Sequence, residues 1–270
     1  MFEEEPLLAR AARLGDRAAL ERLIADGADI NARIDFEWEY LSACGNVTPL
    51  MIAARSVDGA TVATLAWLLE HGADLFATSD ERGHQNAAWY AAGLGGRWEC
   101  LPWRNVPSHG ERLRFLLDAG LEPTNYMLWE ACDAGDPTRV KLLLERGVSP
   151  HPTDEGYSHG IPLLRAAKSG SAACVQLLLD AGADPNVMDR QGMTTILGGA
   201  GSAEVVQVLL AAGASRDQAI EYNEDVLGCL LENAFGYERC HVGHRAAAQA
   251  LRDAGAPLEP ASGSRLPALA

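Results

Sequence analysis

Basic residues and long apolar runs are both scarce in this sequence. It contains 22 Lys and Arg against 37 Asp and Glu, which gives a formal net charge of -15. Such an acidic chain is repelled by nucleic-acid phosphates and anionic membranes, and it attracts basic protein surfaces. No apolar stretch reaches the roughly 20 residues that span a bilayer. The first five residues lack the basic and apolar segments of a secretory signal.

Cysteine is scarce too, and no catalytic motif is present. The six cysteines have no paired spacing, which argues against a disulfide framework and favours a reducing compartment. No serine lies in a nucleophile elbow, and the glycine-rich residues 93–96 lack the Gly-Lys-Ser/Thr of a phosphate-binding loop. We therefore predict a cytoplasmic protein with no enzymatic activity and no cofactor.

Glycine recurs behind a fixed apolar pattern. Six glycines each have Leu, Ile or Val three, four and seven residues before them. This is the spacing of one apolar stripe along an α-helix. Glycine suits the residue just past a helix, where the backbone often turns left-handed. The pattern predicts helices that end before Gly27, Gly72, Gly120, Gly147, Gly182 and Gly213, with a seventh before Gly255.

A first helix is predicted ahead of each of these glycine-terminated helices. Short Ala-rich apolar segments occupy residues 7–13, 49–55, 87–92, 127–132 and 162–168. A further glycine stands twelve residues before five of the terminal glycines, at Gly15, Gly135, Gly170, Gly201 and Gly243. The repeating unit is therefore a helix, a glycine turn, a second helix, a glycine cap and a loop.

These units resemble the ankyrin repeat. Residues 48–54, Thr-Pro-Leu-Met-Ile-Ala-Ala, match its first helix except at Met51, where histidine is usual, and residues 161–167 match it again. Residues 177–186, Leu-Leu-Leu-Asp-Ala-Gly-Ala-Asp-Pro-Asn, and residues 27–31 match its second half. The resemblance covers about residues 4–258. It implies an all-α ankyrin-repeat solenoid of about seven helix-turn-helix repeats with inserted loops.

The spacing of the repeat ends indicates where insertions lie. Successive terminal glycines are 45, 48, 27, 35, 31 and 42 residues apart, against about 33 in the family. The last unit has Ala248, Leu251 and Arg252 at the apolar positions, which suits a terminal repeat with one face in water. We predict one repeat domain over residues 1–258 and a flexible tail over residues 259–270.

One grouping in the last unit suggests a metal site. Cys229, Cys240, His241 and His244 are residue types that bind zinc, but they lack the tight paired spacing of structural zinc sites. Gly243 and His244 also occupy the Gly-His turn of the family, twelve residues before Gly255. We therefore predict no bound metal.

The resemblance implies a partner-binding concave surface made of loops and first-helix ends. Loop positions ahead of the first helix are Glu81, Arg82, His84, Arg190, Gln191 and Met193. Positions just after the Ala-Ala pair are Arg55, Asp133 and Lys168. Taken singly, each is explained more simply as a solvated polar residue, so the prediction concerns the set.

The insertions carry aromatic residues. Residues 34–41 alternate apolar side chains, including Phe36, Trp38 and Tyr40, with acids, which predicts an extended hairpin with one apolar face. A second insertion holds Trp98, Trp103 and Arg104, and a third holds Tyr157. Trp and Arg are enriched at interface hot spots. Alternatively, Trp98 and Trp103 fold back and fill the stack. Trp67, Trp89 and Trp129 lie within repeat helices and are expected in or near the core.

We therefore predict a monomeric, non-enzymatic protein–protein interaction module. It binds a basic protein partner, and neither nucleic acid nor membrane, through its concave face and aromatic loops. Three alternatives stay open. One is an inhibitor or immunity protein that neutralises a partner enzyme or toxin. Another is an enzyme, or an enzyme's regulatory subunit, whose site is hidden in an insertion. The third is a small-molecule or metal sensor that uses residues 240–244.

Overall fold

The computed structural model describes residues 5–36, 44–56, 58–79, 85–92, 107–151, 160–189 and 193–215. The chain divides into two compact units, Met1–Glu130 and Ala131–Ala270. Among the helices of the described ranges, none is long and apolar enough to cross a membrane. The predicted seventh repeat and tail lie outside the described residues.

The first unit consists of helix pairs and one hairpin. Its elements are α1 (Leu7–Leu14), α2 (Arg17–Ala25), β1 (Ile34–Phe36), β2 (Cys44–Val47), α3 (Pro49–Arg55), α4 (Val62–Glu70), α5 (Ala87–Ala91) and α6 (Pro107–Asp118). The first helices pack in succession, α1 against α3 and α3 against α5, and the second helices α4 and α6 also pack together. Helix α7 (Asn125–Asp133) crosses the boundary between the units.

The second unit repeats this arrangement. Its elements are α8 (Pro137–Glu145), α9 (Pro162–Ser169), α10 (Ala172–Asp180), α11 (Thr195–Gly198), a 3-10 helix (Gly199–Gly201) and α12 (Ala203–Ala211). Helix α9 packs against α11, while α10 lies between α8 and α12. Each second helix begins at a side chain that accepts a bond from the first turn: Asp136, Ser171 and Ser202. The described residues therefore form successive helix pairs, as the all-α prediction requires.

The apolar stripe forms the core, with one difference from the prediction. The residue seven positions before each described terminal glycine is fully buried, from Leu20 to Val206. The residue four positions before is fully buried in five repeats, including Leu116, Leu143 and Leu178, whereas Leu23 is half-buried. The residue three positions before is only half-buried in all these repeats except at Leu117. In four of the six described repeats, one leucine of the pair is therefore buried in the core and the other is half-buried at its edge.

The terminal glycines adopt the expected left-handed backbone. Gly27, Gly72, Gly120, Gly147, Gly182 and Gly213 have φ between 84° and 112°. The turn glycines Gly15, Gly135 and Gly170 also have positive φ, at 68°, 63° and 78°. Gly201 differs, because the short helix α11 continues directly into the 3-10 helix that contains it.

A buried position that the spacing does not predict lies eight residues before five of the six described terminal glycines. It carries Thr64, Arg112, Arg139, Cys174 and Val205, all buried. The Arg112 Nη1 donates to the Ala53 carbonyl oxygen at 2.8 Å, and burial lowers the pKa of Arg112 to about 10. The Arg139 Nε donates to the Asp136 Oδ2 at 2.7 Å. Two arginines therefore occupy a core position that other repeats fill with small or apolar residues.

Candidate interaction surface

The predicted hairpin is present at its base. Strands β1 and β2 are antiparallel, with Ile34 opposite Val47 and an irregularity before the Phe36 pairing. Ile34 and Val47 are buried, whereas Asp35 is exposed and its Oδ1 accepts from the Asn46 N–H at 2.5 Å. The expected alternation therefore holds at residues 34 and 35. Trp38 and Tyr40 lie outside the described residues, as does the Phe36 side chain.

Two side chains fasten this hairpin to the loop of the next repeat. The Arg33 Nη1 donates to the carbonyl oxygens of Asn46, at 3.2 Å, and Thr78, at 2.6 Å. The Asn31 Nδ2 donates to the Gly72 carbonyl oxygen at 2.9 Å, and its Oδ1 accepts from the Asp74 N–H at 2.7 Å. The hairpin base and residues 72–79 are therefore held in one arrangement, which lowers the entropy cost of ordering them on binding.

The first-helix ends carry polar side chains with different roles. Arg55 is half-buried at the end of α3, and Lys168 is exposed in the last turn of α9. Asp133 forms an ion pair with Arg165, whose side chain is only 8% exposed. The sequence prediction did not include Arg165, because it stands next to the Ala-Ala pair on a helix predicted to be apolar. Asp133 therefore stabilises the second unit, whatever else it contacts.

Met193 follows residues 190–192, which lie outside the described residues. It is half-buried, and its N–H donates to the Asp189 Oδ1 at 2.9 Å. An isolated antiparallel bridge pairs Met188 with Thr194. The other predicted surface residues lie outside the described residues: Glu81, Arg82, His84, Trp98, Trp103, Arg104, Tyr157, Arg190 and Gln191.

The large aromatic residues of the helices behave as predicted. Trp67 and Trp129 are buried, and Trp89 is half-buried. The sequence prediction missed Phe76, which is 67% exposed in the loop after Gly72. A signal for it was present, because Phe76 stands four residues after its repeat glycine, where Asn31 and Asn186 stand in two other repeats.

Two cysteines, Cys132 and Cys174, are buried in the second unit. Burial raises the pKa of the Cys132 thiol well above its usual range, and the neighbouring Cys174 raises it further. Burial also raises the pKa of Cys174. Both thiols are therefore protonated near neutral pH and shielded from reagents. Within the described ranges, no group of three His, Cys, Asp or Glu is placed to hold a metal ion.

Comparisons with known proteins agree on the repeat. Residues 128–220 match the family model for ankyrin repeats in three copies. An ankyrin repeat protein of Pyrobaculum aerophilum is 38% identical over 81 residues, which are 30% of this chain and only 29% of that protein. The matched segment thus spans less than a third of the relative's length.

Solved structures share the fold over most of the chain. The human ASB11 ankyrin repeat domain is 20% identical, with a TM-score of 0.62, over 91% of this chain and 98% of that domain. An ankyrin repeat domain from Acinetobacter baumannii is 27% identical, with a TM-score of 0.54, over 77% of this chain and 98% of that one. The ankyrin repeat domain of Bcl-3, a member of the IkappaB family, is 23% identical, with a TM-score of 0.53, over 78% and 88%.

Proposed function

Because residues 128–220 match ankyrin repeats and the chain shares the fold of ankyrin repeat domains, we propose that it is a non-enzymatic module that binds another protein. Ankyrin repeats are in general protein–protein interaction modules, and stacked repeats offer extended surfaces for partners. The observation that carries the proposal is the fastened hairpin. Asn31 and Arg33 tie it to residues 72–78 by three side-chain hydrogen bonds, and Arg33 also donates to Asn46 within the hairpin, although the hairpin contributes only Ile34 and Val47 to the described core.

The partner has a basic surface. The chain has a formal net charge of -15, and Asp29, Asp35 and Asp74 are exposed on and beside the hairpin. Opposite charge on the partner accelerates association and makes the complex sensitive to salt. The binding surface comprises the hairpin residues Phe36, Trp38 and Tyr40 together with the first-helix ends and the inserted loops.

Affinity capture from the native cells tests this function. The tagged chain is compared with a Trp38→Ala/Tyr40→Ala variant and with Gln207→Ala, a neutral change at an exposed position of α12. Captured proteins are identified by mass spectrometry, and binding of the purified candidate is then measured by calorimetry. We expect one basic protein that binds the wild type and Gln207→Ala, with affinity that falls as salt rises, and that binds the double variant weakly.

Two results would contradict the proposal. The first is that no purified candidate binds the wild-type chain. The second is that the double variant binds as well as the wild type, which would exclude the hairpin from the surface. If the partner is an enzyme, its activity in the presence of the chain tests the inhibitor alternative directly.

A further inference from the structure

Phe76 is exposed although its backbone is held in place. Phe76 is 67% exposed, which is the highest exposure of any aromatic residue in the described ranges. Its N–H donates to the Asp74 Oδ1 at 2.9 Å. The N–H groups of Asn31 and Asn186 make the same bond to Asp29 and Asp184, also at 2.9 Å. The loop therefore keeps the geometry of the repeat, and only the side chain differs.

In two described repeats the side chain at this position joins neighbouring repeats. Both Asn31 and Asn186 donate to the carbonyl oxygen of the next repeat's terminal glycine and accept from the N–H two residues later. A phenyl ring can do neither. Phe76 therefore exposes an apolar ring to water at a position where Asn31 and Asn186 join successive repeats.

Exposed acidic side chains lie in the Phe76 loop and in the segments bonded to it. Asp74 lies two residues away and is exposed. The loop of Asp29 is joined to the Phe76 loop through Asn31, and the hairpin of Asp35 is joined to it through Arg33 and Thr78. Of the four charged groups named here, only Arg33 is basic, and its guanidinium already donates to two carbonyl oxygens. Acidic groups therefore outnumber basic ones among the described charges of these segments.

We infer that Phe76 is the anchor of a docking surface for a basic segment of a partner protein. An aliphatic or aromatic side chain of that segment covers the ring of Phe76. Flanking Lys or Arg side chains pair with Asp74, Asp29 and Asp35. Preorganised aromatic residues contribute most of the energy at such anchors. The inference rests on the proposed function, because it names the chemistry of the segment that the module binds.

Selection of random twelve-residue peptides displayed on phage tests this chemistry. Purified wild type and Phe76→Ala are used as targets in parallel. We expect the wild type to enrich peptides in which one apolar residue is flanked by Lys or Arg. A synthetic peptide with the enriched sequence should bind Phe76→Ala at least about tenfold more weakly, the usual effect of removing an anchor. Asp74→Asn, which keeps an oxygen acceptor, should weaken binding less and reduce its salt dependence.

Two further variants separate anchoring from folding. Leu7 is 68% exposed on α1, so Leu7→Ala removes an equally exposed apolar side chain and should leave peptide binding unchanged. Phe76→Asn restores the residue found at the two counterparts, so it should keep or raise the melting temperature and still lose the peptide. Equal affinity of wild type and Phe76→Asn would overturn the inference.

Other outcomes of these experiments would also overturn the inference about Phe76. One is that no peptide is enriched, and another is that the enriched peptides lack basic residues. A concentration-dependent dimer that Phe76→Ala abolishes would assign the surface to a second copy of this chain and overturn the basic partner. If the natural partner binds Phe76→Ala normally and fails to bind Trp38→Ala/Tyr40→Ala, the inference fails while the proposed function stands. If no partner binds the wild type, the proposed function fails, and the inference that rests on it fails as well.

Discussion

Asn186 bonds to Gly213 of the following repeat through its side-chain amide. The Nδ2 donates to the Gly213 carbonyl oxygen at 3.3 Å, while the Oδ1 accepts from the Ser215 N–H at 2.6 Å. Asn31 makes the same pair of bonds to Gly72 and Asp74 in the other unit. Because the same two bonds recur in two separate parts of the chain, they belong to the repeat geometry rather than to one local environment.

Replacing Asn186 with Ala should destabilise the protein. The substitution removes both bonds and leaves two backbone groups to find water, so the free energy of unfolding should fall by about 1–2 kcal/mol. Urea denaturation measures the change. Gln176→Ala is the matched control, because the exposed Gln176 amide bonds only within its own helix, to Asp180. A similar loss for both variants would show that the bond between repeats contributes nothing of its own.

Adjacent leucines should differ sharply in their contribution to stability. Leu178 is fully buried and Leu179 is half-buried. Leu178→Ala should therefore cost about 2–5 kcal/mol of unfolding free energy, and Leu179→Ala about 1 kcal/mol. Leu178→Asp should unfold its unit outright, because a carboxylate would be buried without a partner. Thermal melts of the three variants check the order, and equal melting temperatures would place the core elsewhere.

Asp133 should behave as a structural residue. Removing its carboxylate in Asp133→Ala leaves the nearly buried Arg165 guanidinium without this partner, which should cost about 2–4 kcal/mol of unfolding free energy. Lys168→Ala, one turn further along the same helix as Arg165 and exposed, should change it by less than about 0.5 kcal/mol. Chemical denaturation of both variants provides the measurement. If Asp133→Ala is as stable as Lys168→Ala, the ion pair has no structural role.

Two glycines near α12 should respond in opposite ways to alanine. A Cβ at Gly199 would lie 2.5 Å from the Val205 Cγ1, whereas a Cβ at Gly201 would meet nothing within 4 Å. Gly199→Ala should therefore cost about 1–3 kcal/mol through crowding. Gly201→Ala should be neutral or stabilise by up to about 1 kcal/mol, since it restricts the unfolded chain. Melting temperatures that fall equally would indicate that crowding at Val205 is relieved at no cost.

Stability should decline in alkaline solution because of the buried thiols. Burial raises the pKa of Cys132 in the folded chain, so above about pH 8.5 the unfolded chain releases a proton that the folded chain retains. The stabilisation is complete below that pH and is lost as pH rises toward the folded pKa, by up to about 1.4 kcal/mol per pH unit.

A variant without the thiol isolates this contribution. Cys132→Ala should have a lower free energy of unfolding than wild type at pH 7, and this difference should become smaller between pH 8 and pH 10. The difference in unfolding free energy between wild type and Leu178→Ala should stay constant over the same range. Urea denaturation at each pH gives the values, and a constant difference for Cys132→Ala would mean that its thiol ionises equally in both states.

Part of the surface was predictable from residue order, and part was not. The alternation of Ile34 and Asp35 indicated a strand because side chains in a strand point to opposite faces. No local pattern indicates that Arg33 bonds to Thr78, since that contact joins loops 45 residues apart. Asp133 was assigned to the partner surface from its place after the first helix. Its pairing with Arg165 appears only when two helices from different repeats are brought together.

Residue spacing was enough to establish the repeat, its helix ends and its most buried positions. Leu20, Leu178 and Gly182 follow from the period of one helix, and helix geometry depends on neighbours close in the chain. The burial of Arg112 and Arg139, the amide bonds of Asn31 and Asn186, and the exposure of Phe76 required the packed coordinates. Each of these depends on which surfaces of successive repeats face one another, and hydrophobic periodicity carries no information about a charged or amide group whose partner is distant in sequence.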